Sequence, residues 1–346
     1  MEVVLRLFPY QLSKLRLLAS IYNTYRFESD PLLGKKFKPN LNLTFGAKEH
    51  SHSFQTVTLG FTDIGFRDDG INSECFAVAI GDSFTEGFID GENVWVELLE
   101  KKTGLDFVNM GVGGYCPIQE VRMLKKYGTP LRPKLVLWAF FQNDISESYR
   151  VNKRLREQAE GKGQGVENWL IQHSLACQAL QYIGQKINKV QRGGYSSRRP
   201  YKDDHLSFFF DMGYAKEEFM SNLQEGWKLT RESLLEAKAI CQNIKAKFVI
   251  ILIPCKEQSY WHIVKGLIKD SENYDIDQLN TLMKNFCEEQ GITCLDLTPA
   301  FQEHAKKGEQ LYYTEDGHWN KEGNHLAAEA ILDFLKQQGL LPQGNL

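Results

Sequence analysis

The chain is predicted to fold as a doubly wound α/β sandwich with about five parallel strands. Two patterns carry that expectation. From residue 75 onward, short apolar runs recur as "CFAVAI", "FVNM", "KLVLWAFF", "KFVIILI" and "ITCLDL". Runs that lack polar alternation suit strands covered on both faces, as in a parallel sheet. Between them lie amphipathic stretches of helical length: "ENVWVELLEKKTG", "PIQEVRMLKKYG", "ESLLEAKAICQN" and "DQLNTLMKNFCEEQG". A last helix, "KEGNHLAAEAILDFLKQQG", closes the domain on a glycine, the residue that best tolerates the left-handed turn after a helix.

Size and composition agree with this architecture. The 346 residues are 42% hydrophobic and 12% aromatic, enough for a sizeable core. A net charge of −3 gives no reason to expect a nucleic-acid partner. The seven cysteines include no C-x-x-C pair and sit mostly in apolar runs, so neither a disulfide framework nor a zinc site is expected. No stretch reaches the ~20 apolar residues of a membrane span.

Residues 1–72 read as an N-terminal helix followed by irregular and hairpin segments, with the hairpin placed in "TVTLGFTDIGFRDDG". The helix carries Leu5, Leu12, Leu15, Leu17 and Leu18 with basic residues between them. Packing on its own domain is favoured over lying on a membrane surface, though either use fits. The main domain spans residues 73–338 and is interrupted between its third and fourth strands by residues 147–225, a helical insertion that could serve as a lid. From Arg150 to Lys202 there are eleven Lys/Arg against three Asp/Glu, and Trp169, Tyr182, Tyr195 and Tyr201 lie in or beside that basic run. Such a segment suits either a solvated loop or contact with anionic headgroups or an acidic glycan.

In open parallel sheets, ligands bind beyond the carboxyl ends of the strands. The segments found there are "GDSFTEG" after the first strand, "GVGGYC" after the second and "QND" after the third, with "YYTEDGHWN" just before the last helix. Together they supply the parts of acyl transfer. Ser83 is a hydroxyl at a strand-to-loop corner, His318 a base able to take its proton, and Asp316 a carboxylate able to hold the imidazole tautomer. The Ser83 N–H, the Gly114 N–H and the Asn143 side-chain amide are candidate donors to a tetrahedral oxyanion. No metal or cofactor is needed for this chemistry. Phe84, Tyr115 and Trp319 adjoin these segments and are candidate walls of a substrate pocket.

Each segment has a plainer reading alone: Ser83 as a helix cap, Asn143 as part of an Asx turn. "GVGGYC" does not complete a dinucleotide fingerprint, because Cys116 stands where the third glycine belongs, and "GDSFT" lacks the G-x-S-x-G elbow. His50 and His52 could face one side of a strand as metal ligands, but nothing of suitable spacing completes a site, so exposure to solvent is expected.

Taken in order, Gly-Asp-Ser, "VNMGVGG", Asn-Asp and Asp-Gly-His resemble the blocks of the SGNH (GDSL-type) hydrolases. The resemblance covers residues 75–145 and 240–338. It implies a flavodoxin-like three-layer sandwich and a serine esterase, with Ser83 as nucleophile, Gly114 and Asn143 as oxyanion residues, His318 as base and Asp316 as its partner. Its substrates would be acylated lipids, glycans or small molecules. O-acyl transfer onto a glycan is the alternative within that fold, and a non-catalytic carbohydrate-binding or scaffold role the alternative outside it. Two features depart from the family pattern. Phe141 replaces the glycine of Gly-x-Asn-Asp, and Asp316 and His318 are two apart, a spacing similar to that of the alginate-acetylation branch. Glu315, three before the histidine, is the other candidate acid. The start of the chain, "EVVLRLFPY", resembles the tail of a membrane anchor.

Overall fold

The computed structural model describes residues 25–160, 201–208 and 223–342 except 47, 48, 61, 72, 73 and 204, together with the isolated positions 4, 7, 8 and 174. The expected N-terminal helix lies almost wholly outside the described residues. So do most of the insertion and its residues Trp169, Tyr182 and Tyr195.

Two antiparallel hairpins open the described chain: β1 (Phe27–Asp30) with β2 (Gly34–Phe37), and β3 (Asn42–Gly46) with β4 (Ser51–Gln55). The first turns tightly because Asp30 Oδ1 accepts from the Leu32 and Leu33 amides, both at 2.8 Å. Both hairpins precede residues 56–70, where the sequence places one; that stretch instead makes the single bridge Val57–Phe66 and turns.

The main sheet starts with β5 (Cys75–Ile80), which leads through α1 (Ser83–Glu86) and α2 (Trp95–Thr103) to β6 (Asp106–Asn109). The chain continues through α3 (Pro117–Met123), β7 (Leu135–Phe140), α4 (Asp144–Ala159) and the short pair β8 (Tyr201–Lys202) and β9 (Ser207–Phe208). It then forms α5 (Gln224–Asn243), β10 (Lys247–Leu252), α6 (Lys256–Ser259), α7 (Gln278–Gln290), β11 (Thr293–Asp296), α8 (Thr298–Lys306) and α9 (Lys321–Gln337). All five main strands are parallel, in the order β11-β10-β7-β5-β6. This is the flavodoxin-like order that the sequence implies.

Burial explains the apolar runs. Every residue of β5 and β7 is buried, so neither strand has a polar face to alternate with. Helices α2 and α9 pack together, as do α3, α4 and α5. Because the chain steps from β5 out to β6 and then back across to β7, right-handed crossovers put the two groups on opposite faces of the sheet. Gly104 and Gly291 end α2 and α7 in the left-handed region, at φ 67° and 60°.

The reversal between β6 and β7 creates the switch point beside β5, where crevices form in such sheets. Its walls are tightly packed. A Cβ on Gly111, just after β6, would lie 2.3 Å from the Glu86 nitrogen and 2.5 Å from the Thr85 carbonyl carbon. Gly111→Ala is expected to cost about 2–3 kcal/mol by forcing these backbones apart. Gly91→Ala, with nothing within 4 Å of the added carbon, serves as the control and should be close to neutral in thermal unfolding. Equal melting temperatures for the two variants would contradict this packing.

Away from that crevice, the carboxylate oxygens of Asp68, Asp69 and Glu97 come within 4.8 Å of one another. Burial pushes Asp68 up to about 7 and Glu97 up to about 9, and the neighbouring acids add to both shifts. In the unfolded chain both groups titrate near 4. Over the interval from about 4 up to the folded values, the native protein holds protons that the unfolded chain has lost, so stability falls as pH rises. The melting temperature should therefore decline between about pH 5 and pH 8, and Glu97→Gln should flatten part of that slope. An unchanged slope in the variant would contradict the assignment.

Candidate active site

The candidate nucleophile lies at the first turn after β5. Asp82 caps α1, its Oδ1 accepting from the Phe84 amide at 3.0 Å, and Ser83 follows as the first helical residue. The plainer reading therefore fits Asp82, while Ser83 keeps its hydroxyl for another partner. That partner is His318: Nε2 lies 2.8 Å from Ser83 Oγ. On the other side of the ring, Nδ1 lies 2.5 Å from Asp316 Oδ1, which also accepts from the His318 amide at 2.9 Å. Three residues from the two ends of the domain thus form one continuous line.

Asp316 occupies the place for which Asp316 and Glu315 are the two candidates. Burial would raise its carboxyl, but His318 and His50, facing its two oxygens, hold it well below the usual carboxylate range. The loop itself is pinned by Glu49, whose Oε2 accepts from the amides of Glu315 at 2.5 Å and Asp316 at 2.6 Å. The Glu315 backbone thereby helps to fix the turn while its neighbour meets the imidazole.

His50 and His52 are not exposed. They are 9% and 4% accessible and belong to a stack of rings with Phe45, Phe88 and Tyr313. Phe88 continues the stack onto His318, with ring centroids 4.2 Å apart. His50 Nε2 faces Asp316 Oδ2 at 3.9 Å, and burial with nearby cations pushes the His52 imidazole far below its ordinary value. The expectation of solvent exposure fails because the H-S-H alternation turns His50, just before β4, and His52, within it, to one buried aromatic face.

The candidate oxyanion donors other than the Ser83 N–H lie in the loops that follow β6 and β7. Asn143 follows β7, and its Nδ2 lies 3.4 Å from Asp82 Oδ2, as does Ser83 Oγ. Gly114 sits in the left-handed region at φ 76°, in the loop after β6. That loop is clamped at Gly113, whose amide donates to Glu86 Oε2 at 2.6 Å and whose carbonyl accepts from Lys35 Nζ at 2.7 Å. Glu86 in turn pairs with Arg26, and both side chains are buried. Arg67 donates to the carbonyls of Glu86, Gly87 and Ile89, bracing the other end of α1.

The three aromatic pocket candidates lie inside the protein. Phe84, Tyr115 and Trp319 are 3%, 0% and 2% accessible. Phe84 packs against His318, Phe141 and Trp319, while the Tyr115 hydroxyl donates to the Lys35 carbonyl. All three are taken up by packing and leave almost no surface for a ligand. Phe141, where the family pattern has glycine, serves to pack Phe84 at 4.5 Å.

Beneath the crevice, burial raises the carboxyls of Asp82, Glu120 and Asp144, which favours their neutral acid forms. Among the described residues, Asp68, Asp69 and Glu97 are the carboxylates grouped closely enough to bridge a cation, and they are not among the partners of Ser83 and His318. Arg26, Lys35, Glu49 and Glu86 have no distinguishing motif in the sequence. Of the four, only Glu86, in "GDSFTEG", lies within a segment that invites a functional reading.

Comparison with known proteins supplies the family. Residues 79–326 match the GDSL-like lipase/acylhydrolase family, a span that includes Ser83, Gly114, Asn143, Asp316 and His318. No curated protein matches the chain. Among solved structures it is similar to the acetyl xylan esterase AlAXEase, at 12% identity and TM-score 0.43, over 75% of this chain and 98% of that one. A GDSL-like lipase from Bacteroides thetaiotaomicron is similar at 14% identity and TM-score 0.38, over 78% of this chain and 91% of that one. A two-domain esterase active on acetylated mannans is similar at 14% identity and TM-score 0.39, over 76% of this chain and 48% of its own. With the family match spanning both arms of the crevice, the chain belongs to the GDSL-like lipase/acylhydrolase family and is a hydrolase of ester bonds.

Proposed function

We propose that the protein is a serine esterase that cleaves acylated small molecules or glycans through an acyl-enzyme on Ser83. The observation that carries this reading is the unbroken line from Asp316 Oδ1 through His318 to Ser83 Oγ, with steps of 2.5 and 2.8 Å. Ser83 Oγ attacks the ester carbonyl carbon while His318 Nε2 takes its proton. Asp316, kept ionised, holds Nδ1–H and stabilises the imidazolium. The carbonyl oxygen becomes an oxyanion received by the Ser83 N–H, the Gly114 N–H and Asn143 Nδ2. The C–O bond to the alcohol then breaks, and the alcohol leaves with the proton from His318.

The second half repeats the cycle with water. His318 takes a proton from water, hydroxide adds to the acyl carbon, and Ser83 Oγ departs with the proton returned by His318. The free acid is released and the enzyme restored. Gly113 favours the reaction because it carries no side chain to fill the space beside Ser83; a Cβ there would lie 3.6 Å from that of Ser83. Each oxyanion donor of this kind is worth about 3–4 kcal/mol of barrier.

With p-nitrophenyl acetate, the wild type should release a burst of nitrophenolate equal to the enzyme present. Ser83→Ala should abolish the burst and lower the steady rate by at least about 10³-fold. Asn143→Ala should retain the burst but slow it about 10²-fold. A Ser83→Ala variant that turns over like wild type would remove Ser83 from the reaction.

A further inference from the structure

The ammonium of Lys35 touches the carbonyl end of the amide whose N–H is a proposed oxyanion donor. Nζ lies 2.7 Å from the Gly113 oxygen, and a Cβ on Gly114 would lie 3.5 Å from the same nitrogen. The Gly113 C=O and the Gly114 N–H belong to one conjugated peptide plane. A cation hydrogen-bonded to the oxygen draws electron density from the nitrogen, and a hydrogen bond accepted at one end strengthens donation at the other.

We propose that Lys35 is a positioning residue for ester hydrolysis, its ammonium polarising the Gly113–Gly114 peptide and fixing the Gly114 N–H toward the developing oxyanion. The inference rests on the reading of Gly114 as an oxyanion donor. The path is short: Lys35 ammonium to Gly113 oxygen, through one amide, to the substrate oxygen. Because charge develops on that oxygen only as the tetrahedral intermediate forms, the benefit belongs to the transition state and not to the bound substrate.

Two contacts fix the lysine for this task, and a third holds the loop it meets. Its own carbonyl accepts from the Tyr115 hydroxyl, two residues beyond Gly113. Its ammonium lies 4.2 Å from the centre of the Phe27 ring, a cation–π contact with the neighbouring strand. Opposite the lysine, Glu86 takes the Gly113 N–H, so the peptides on both sides of the Gly113 α-carbon are held by charged side chains. The charged groups facing Lys35 are Arg26 before β1, Glu86 on α1, and Glu147 and Arg154 on α4. Burial and the two arginines outweigh the two glutamates and lower the ammonium to about 8. The charge is therefore present at neutral pH and is lost as pH rises through that value.

The test uses the full chain, p-nitrophenyl acetate and three variants, Lys35→Met, Lys35→Arg and Ser83→Ala, with rates followed from pH 6 to 10. Lys35→Met is expected to lower kcat and kcat/KM together by about tenfold, a fraction of what loss of a whole donor costs, with KM held within about twofold. Lys35→Arg should recover most of that loss. Wild-type kcat should decline above about pH 8; the decline should move to higher pH in Lys35→Arg and vanish in Lys35→Met. A lysine that only pins the loop would lower thermal stability and activity without moving the alkaline limb. The proposal is overturned by a Lys35→Met kcat within twofold of wild type, by Lys35→Arg as slow as Lys35→Met, or by an alkaline limb at the same pH in wild type and both Lys35 variants. Failure of the underlying serine reading would register separately, as undiminished turnover by Ser83→Ala.

Discussion

The buried carboxylate of Glu86 joins the parts of the molecule that the crevice requires. It accepts from Arg26, which comes before the first hairpin, and from the Gly113 amide in the loop after β6. Arg26 itself lies among the rings of Phe27, Phe37, Phe45 and Phe54, between 4.6 and 5.4 Å from their centres. A charge so enclosed needs its counter-charge, and breaking a buried pair of this kind costs about 3–5 kcal/mol. The hairpins therefore cannot be treated as an appendage to the sheet. They carry Lys35 and, beside them in the chain, Arg26 and Arg67, the cations that hold α1 and the Gly113 loop next to Ser83.

The same enclosure sets the electrostatics. Ionised carboxylates beneath the crevice would oppose an oxyanion, but burial raises Asp82, Glu120 and Asp144 and favours their neutral forms. Asp316 is driven the other way by the imidazoles that face it. Burial and facing imidazoles thus push neighbouring acids in opposite directions, as they do where acids in one site are given different parts. Lys35 stands beside the Gly113 loop, and the aromatic stack of Phe45, Phe88, His50 and Tyr313 covers Asp316 and its loop.

The sheet is legible in the sequence because its strands are short, apolar on both faces and separated by amphipathic helices. β5 and β7 begin and end within one residue of the runs "CFAVAI" and "KLVLWAFF". The line of Asp316, His318 and Ser83 is legible for a related reason: each residue follows a recognisable element, so topology alone carries them to one edge. What the sequence hides are contacts with no local pattern. Arg26 and Glu86 are 60 residues apart, and Lys35 and Gly113 are 78. Glu49 reaches the His318 loop across more than 260 residues. His50 and His52 read as polar and exposed, because composition does not reveal that Phe45, Phe88 and Tyr313 supply the rings that cover them. Phe84, Tyr115 and Trp319 show the converse: adjacency to the motifs suggests pocket walls, yet all three are consumed by packing.

The central claim is that Ser83 carries the acyl group. Its most direct measurement is peptide mass spectrometry of the protein after reaction with a fluorophosphonate, which phosphonylates an activated serine with loss of fluoride. The account predicts one adduct per chain, on the peptide containing Ser83, and none after His318→Ala under the same exposure. An adduct on another residue, or equal labelling of Ser83 with and without His318, would contradict it.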